Sequence, residues 1–266
     1  MTFQRVILTH GGAGADPRHD DGTHSAAKAG MQLMVDGQSA LNAAVQAVHR
    51  LEDDPRFNAG TGSRVRADGR TMQMDASCML SDGAFGAVTC VEGIRNPIDI
   101  AHAVLLHSPH ILIAGEGVKQ FAREQNLTLR LLEEPDKTVS SQTPACDTVG
   151  AVAFDGDLFA CALSSGGLSG SAIGRVGDVP LPGCGLHCGP FGAVACTGDG
   201  EFIALRILAR EVYGWLEQKM HPEDAVQKAL MLFEEGVDIG LLVSTSSDCA
   251  AGSRNGMPWS YLTESR

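Results

Sequence analysis

From Gln125 to Asp147 the chain loses helical and strand periodicity, and at Thr148 it enters the apolar run Thr148-Val149-Gly150-Ala151-Val152-Ala153-Phe154. This junction constrains the fold most. The stretches Glu133-Glu134-Pro135-Asp136-Lys137 and Ser140-Ser141-Gln142-Thr143-Pro144 offer no apolar face to bury, so they read as a linker about 125–147 feeding an ordered strand. A threonine at that boundary has a chemical use. If the Asp147–Thr148 bond breaks, Thr148 carries both a hydroxyl nucleophile and, in its new α-amino group, a base titrating near about 7.7–8.0.

Both halves mix strands and helices. Residues 3–9 run apolar as a strand into the loop His10-Gly11-Gly12-Ala13-Gly14. Helices are predicted from Thr23 to Val35, stopping at Gly37, and from Ser39, whose hydroxyl caps a helix with Leu41, Ala44, Val45, Val48 and Leu51 on one face. Strands follow near 64–67, 71–80 and 84–93, with Asp68-Gly69 and Asp82-Gly83 as turns. Asn96-Pro97 starts a helix that ends before Ser108-Pro109, and a short helix covers 116–124. Beyond the linker, strands at 148–155 and 157–164 pair across Gly156, and glycine-rich loops fill 165–190. A strand at 191–197, helices at 201–219 and 222–235, and a closing strand from Ile239 to Thr245 complete the reading. Strand-rich sheets packed face to face with helices outside fit this order, an α+β class within one domain, 1–266.

A net charge of −12 without any Lys/Arg run excludes a nucleic-acid partner, because phosphate contacts need clustered cations. A small polar substrate is the expected partner. No apolar stretch reaches the length of a membrane span and the N-terminus lacks a signal-peptide pattern, so no membrane is expected and the compartment is cytoplasmic. The eight cysteines read as reduced thiols. Cys184-Gly185-Leu186-His187-Cys188 has zinc-ligand residue types but no second ligand pair at a matching spacing. A serine esterase would need a Gly-x-Ser-x-Gly elbow, and a dinucleotide binder a Gly-x-Gly-x-x-Gly after a strand; neither is present.

After Thr148 come Ser165-Gly166-Gly167, then Gly174-Arg175-Val176-Gly177-Asp178, then Thr197-Gly198-Asp199-Gly200-Glu201 at a strand-to-helix junction. An arginine takes a carboxylate and an aspartate three residues later takes an ammonium, so Arg175 and Asp178 would hold both charged ends of an α-amino acid, or form a surface ion pair. Thr197-Gly198 offers a hydroxyl and backbone N–H groups to an oxyanion, or a capped helix start. With Phe57-Asn58-Ala59-Gly60-x-Gly62-Ser63, Met74-Asp75-Ala76-Ser77, Gly86-Ala87-Val88 and Arg95-Asn96-Pro97-Ile98, these blocks run in order from residue 10 to about 201. In that order they resemble the plant-type asparaginase/isoaspartyl peptidase family of N-terminal-nucleophile hydrolases.

The resemblance implies a four-layer αββα sandwich made as a precursor that cuts itself between Asp147 and Thr148, giving an α part (1–147) and a β part (148–266). It implies a dimer of such heterodimers. It also implies catalytic roles: Thr148 as nucleophile with its own amine as base, Ser165 polarising it, and Asn58, Thr197 and Gly198 supporting the oxyanion. Substrate binding would fall to Arg175, Asp178, Thr197, Gly198 and Gly200. The substrates would be L-asparagine and β-aspartyl (isoaspartyl) dipeptides, with glycosylasparagine as an alternative specificity and a non-processing amino-acid- or partner-binding relative as an alternative class. No cofactor is required. A structural sodium ion would sit on the backbone carbonyls of Leu51, Glu52, Asp54, Phe57, Ala59 and Thr61. Departures from the family pattern are a short linker, Leu168-Ser169-Gly170-Ser171-Ala172-Ile173 without lysine or proline, Asp199 beside the oxyanion elements, Val237-Asp238-Ile239-Gly240-Leu241-Leu242 in place of a paired-glycine entry to the last strand, and the segment Ser246 to Trp259.

Overall fold

The computed structural model describes residues 3–132 and 148–265. Strand β1 (Phe3–His10) leads to helices α1 (Asp20–Val35) and α2 (Ala40–Asp53), then β2 (Met74–Leu80), β3 (Phe85–Val91), α3 (Pro97–His107), β4 (Leu112–Ala114) and α4 (Glu116–Glu124). The chain after the linker forms β5 (Thr148–Phe154), β6 (Phe159–Ser165), β7 (Leu186–Gly189), β8 (Gly192–Gly198), α5 (Gly200–Arg206), α6 (Leu208–Glu217), α7 (Pro222–Leu230), β9 (Ile239–Ser244), β10 (Cys249–Ser253) and β11 (Trp259–Ser265).

Two sheets result, one of seven strands in the order β11-β1-β5-β6-β2-β3-β4 and one of four in the order β10-β9-β8-β7. Helices α1 and α2 pack together and on the large sheet, and α3 covers β2 and β3, while α6 and α7 pack on β8, β9 and β10. The large sheet shows alanines 151, 153, 160 and 162 to its helices, which lets them lie close. Closeness between α1 and α2 is set at Gly30, where a Cβ would stand 2.7 Å from the Ala43 carbonyl oxygen. A separate apolar cluster joins the two sheets through Val6, Leu8, Met79, Val152, Phe154, Phe159, Leu163, Leu186, Ala195 and Leu242. Burying each of its larger side chains contributes about 1.5–3 kcal/mol.

Local chemistry explains most boundaries. Ser39 accepts from Asn42 N and starts α2, as its hydroxyl predicts. Asn96 occupies the cap position of α3, but its amide donates to Asp53; the buried Glu52 carboxylate takes the α3 N-terminal amide of Ile98 instead. Burial holds the Glu52 carboxyl well above its ordinary value.

Five readings change, one of them the helix expected over 222–235, which ends at Leu230. Residues 64–67 form no strand, because Val65 and Ala67 spend their backbone groups on Gly170 and Ser171 of the later loop. The helix predicted over 201–219 is two helices, broken at Ile207 in the left-handed region at φ 53°. The glycine-rich stretch 165–190 contains β7, and β4 lies between two helices that bracket it closely. Ile239–Ser244 is not the last strand: β10 pairs with it, and β11 runs antiparallel to β1 at the edge of the large sheet. Among the described residues no helix is long and apolar enough to cross a membrane.

Candidate active site

Three adjacent strands bring polar side chains to one end of the layer between the sheets. Thr148 of β5 lies opposite Ser165 of β6, and Ser165 lies opposite Asp75 of β2. Alternation puts Val152 and Phe154, Leu163 and Cys161, and Met79 on the same face as these three, inside the apolar intersheet layer. Thr148, Ser165 and Asp75 therefore form that layer's last rank. They line a cleft together with Asn58, Arg175, Asp178, Gly198 and Gly200. Asp147 lies outside the described residues.

The loop after β6 supplies the charged groups. Arg175 donates from Nε and Nη2 to the Glu201 carboxylate at 2.8 and 2.6 Å. Burial works against the Arg175 charge, but Glu201 outweighs it and holds the guanidinium above its ordinary value. Asp178 is 3% exposed, and burial pushes its carboxyl up to about 7. Its Oδ2 is buried with no hydrogen-bond partner. Gly200 is what lets the two groups meet: a Cβ there would stand 2.8 Å from Asp178 Oδ1 and 3.0 Å from Arg175 Nη2. A cation and an unsatisfied carboxylate side by side suit a zwitterionic ligand, whose own charges complete both.

The remaining sequence-predicted residues have more local ties. Asn58 lines the cleft, with Nδ2 donating to the Gly167 carbonyl and Oδ1 accepting from Arg64 N. Ser165 Oγ accepts from Gly167 N. Thr197 is fully buried behind the cleft; its hydroxyl accepts from Ala13 N and donates to the Thr148 carbonyl at 3.4 Å. Gly198 sits at φ 132°, against the Asp238 carbonyl. Asp199 turns Oδ2 to Asp238 N, so one of its carboxylate oxygens is tied to the β9 entry.

Two groups at the cleft escape sequence reasoning as single residues. Asp75 and Glu201 sit inside motif blocks, but nothing along the chain reveals that one faces Ser165 across a ladder and the other forks onto Arg175. His10 is a third. Its ring is fully buried against β5, where a Gly150 Cβ would stand 2.3 Å from Nε2. Burial lowers its pKa to about 3, only partly offset by the Thr148 backbone beside it, so the imidazole is neutral.

The loop from Leu51 to Thr61 packs backbone carbonyls closely around its glycines. A Cβ at Gly62 would meet the Phe57 and Pro55 carbonyl oxygens at 2.0 and 2.7 Å, and one at Gly60 the Glu52 oxygen at 2.5 Å. The carbonyls of Leu51, Asp54, Phe57 and Ala59 each accept one backbone amide, leaving a lone pair apiece. Crowded neutral oxygens fit a hard cation. Cys184 and Cys188 aim their thiols at the Ala204 and Met79 carbonyls, and among the described residues no His/Cys/Asp/Glu group could hold a metal.

A family model described as asparaginase matches residues 3–143 and 130–265. The isoaspartyl peptidase/L-asparaginase of Danio rerio is 39% identical over 259 residues, covering 88% of this chain and 83% of that protein. The human protein of the same name is 36% identical over 292 residues, covering 98% and 94%. The plant-type L-asparaginase of Thermococcus kodakarensis is 34% identical over 260 residues, covering 85% and 84%.

Proposed function

The chain belongs to the asparaginase family, and on that premise we propose that it is a threonine-nucleophile amidohydrolase that cuts itself before Thr148 and hydrolyses L-asparagine and β-aspartyl dipeptides. The observation that carries this reading is the meeting, in one cleft, of the Thr148/Ser165 pair with the Arg175/Asp178 pair. The two sheets with their outer helices fit a four-layer αββα sandwich of the N-terminal-nucleophile type, which three separate apolar clusters support.

Self-cleavage releases the Thr148 amine. That amine removes the proton from Oγ as it attacks the side-chain carbonyl, then returns it to the departing ammonia or amino acid, and water resolves the acyl-threonine. Asn58, the Gly198 backbone and the Thr197 hydroxyl stabilise the oxyanion, Thr197 once cleavage has rearranged its bond to the Thr148 carbonyl. Arg175 takes the substrate α-carboxylate, sharing its donors with Glu201, and Asp178 Oδ2 takes the α-ammonium. A β-linked dipeptide leaves both α-groups of its aspartyl half free, whereas an α-linked one consumes its α-carboxylate.

A sodium ion on the carbonyls of residues 51–61 would stiffen the loop that carries Asn58 and takes no part in the chemistry. Phe202, Leu205 and Ile207, exposed beside the cleft, support a dimer of cleaved heterodimers. The described cysteines are all free, which supports a reducing, cytoplasmic setting. The test is a denaturing gel of the incubated protein with an ammonia assay. Two fragments divided at Asp147/Thr148 and turnover of asparagine are expected, with both lost in Thr148→Ala. An uncut, inactive wild type, or equal turnover of α- and β-linked aspartyl dipeptides, would refute the reading.

A further inference from the structure

Gln73, just before β2, and Asp75 and Ser77 within it follow one another at the two-residue spacing that puts strand side chains on one face. Gln73 Oε1 accepts from Gly174 N at 2.7 Å, and Ser77 Oγ donates to the Val179 carbonyl. Those two bonds grip the loop bearing Arg175 and Asp178 at its two ends. Asp75 lies between them, 1% exposed, lining the cleft that both clamp residues line.

The neighbouring strand is shaped around this carboxylate. Met74 pairs with Val91 and Ala76 with Val88, so β3 has an extra residue opposite Asp75. The bulge turns Thr89 Oγ1 and Cys90 N onto Asp75 Oδ1, at 2.5 and 3.0 Å. Cys90 reaches this position only by taking φ 52°, a region side-chain-bearing residues rarely enter. A broken ladder and a strained cysteine are kept where their visible product is one fixed, buried carboxylate.

We propose that Asp75 is a positioning residue of the amino-group subsite: acting through Asp178 and Arg175, it adds negative charge behind the bound ammonium and makes the cleft select ligands with a free α-amino group. This rests on the clamp reading given above. The groups facing Asp178 are Arg175 on its own loop, Glu201 on α5 and Asp75 on β2, with the Cys184 and Cys196 thiols nearby. Burial raises the Asp75 carboxyl above its ordinary value, and the Thr89 hydroxyl, the Cys90 amide and the Arg66 and Arg175 guanidinium groups facing it favour its ionised form. Burial is the main cause of the raised Asp178 carboxyl, and the like charge of Asp75 adds to it. Removing that charge therefore lets Asp178 ionise at lower pH.

The experiment is calorimetric binding of L-aspartate and of succinate, which lacks the amino group, to the full-length protein and to Asp75→Asn between about pH 5.5 and 8.5. At the alkaline end Asp75→Asn is expected to weaken L-aspartate about tenfold and succinate less than about twofold, as befits one lost charge near the ammonium. The pH at which L-aspartate affinity falls on acidification should move down. Thr89→Val, which removes a donor that favours ionised Asp75, should move it the same way by less. If Asp75→Asn does not fold, Thr89→Val decides alone: a lowered midpoint supports the proposal and an unmoved one overturns it. Equal loss on both ligands, an unmoved midpoint in Asp75→Asn, or a wild type that does not bind L-aspartate also overturns it. A wild type that binds L-aspartate but releases no ammonia from asparagine sinks the hydrolase reading and leaves this one standing.

Discussion

The layer between the two sheets has two unlike ends built on the same three strands. At one end Phe154 stacks on Phe159, with Met79 beside them. At the other, six or fewer residues along each strand, stand Thr148, Ser165 and Asp75. The backbone ladder is common to both, so the difference lies in the side chains alone. The apolar end gains from leaving water. The polar end loses, and its losses are legible in a buried Asp178 oxygen without a partner and two carboxyls held above their ordinary values. One end of the layer stabilises the protein, and the other stores an unmet demand that the proposed ligand would satisfy.

That contrast can be broken at either end. Thr148→Ala should lower ammonia release by at least about 10⁴-fold, the scale of losing a nucleophile, while thermal unfolding moves little. Phe159→Ala, at the opposite end, should cost about 3–5 kcal/mol in denaturant unfolding, and the fraction that stays folded should keep its affinity for aspartate. Equal effects of both changes on stability would dissolve the distinction. Asp178→Asn should abolish clamp affinity yet stabilise the empty protein by about 4 kcal/mol near pH 8, because its carboxyl is raised from 3.8 to about 7 and each raised pKa unit is worth about 1.4 kcal/mol. The sign follows from a folded-state pKa above the unfolded one: the penalty is absent below about pH 4, grows towards about 7 and is complete above it. Unfolding curves at about pH 4 should therefore show no gain. Gly200→Ala should raise KM roughly tenfold through its clash with Asp178 and Arg175, with kcat nearly unchanged and stability lowered by about 1 kcal/mol. Last, Ser39→Ala should cost about 1 kcal/mol and leave activity alone.

What the sequence reveals follows the range of the interactions. Ser39, Gly37 and the apolar stripe of α2 act within a few residues, and the boundaries of α2 are legible. β5 and β6 announce themselves by apolar runs around a glycine turn. β11 does not, because its alternating exposure gains meaning only from pairing with β1, more than 240 residues away in the chain. The break at Ile207 carries no glycine or proline signal; the half-exposed isoleucine sits at φ 53° where α5 leaves the cleft wall and α6 docks on β8. In the site, Arg175 and Asp178 are close enough in sequence to suggest a pair. Asp75 becomes meaningful only through neighbours on β3, β6 and the clamp loop.

The strand order of the large sheet reaches furthest. Reading β11-β1-β5-β6-β2-β3-β4 across it, strands from before and after the linker are interleaved, and three of the six ladders join one group to the other: β11 with β1, β1 with β5, and β6 with β2. A cut before Thr148 would thus leave two polypeptides woven through a single sheet, held without any covalent bond. They would part only on global unfolding, and rejoining would be a second-order encounter between two chains, each missing its neighbours. Maturation of such a chain is a one-way ratchet, with stability that depends on dilution once unfolded and not before.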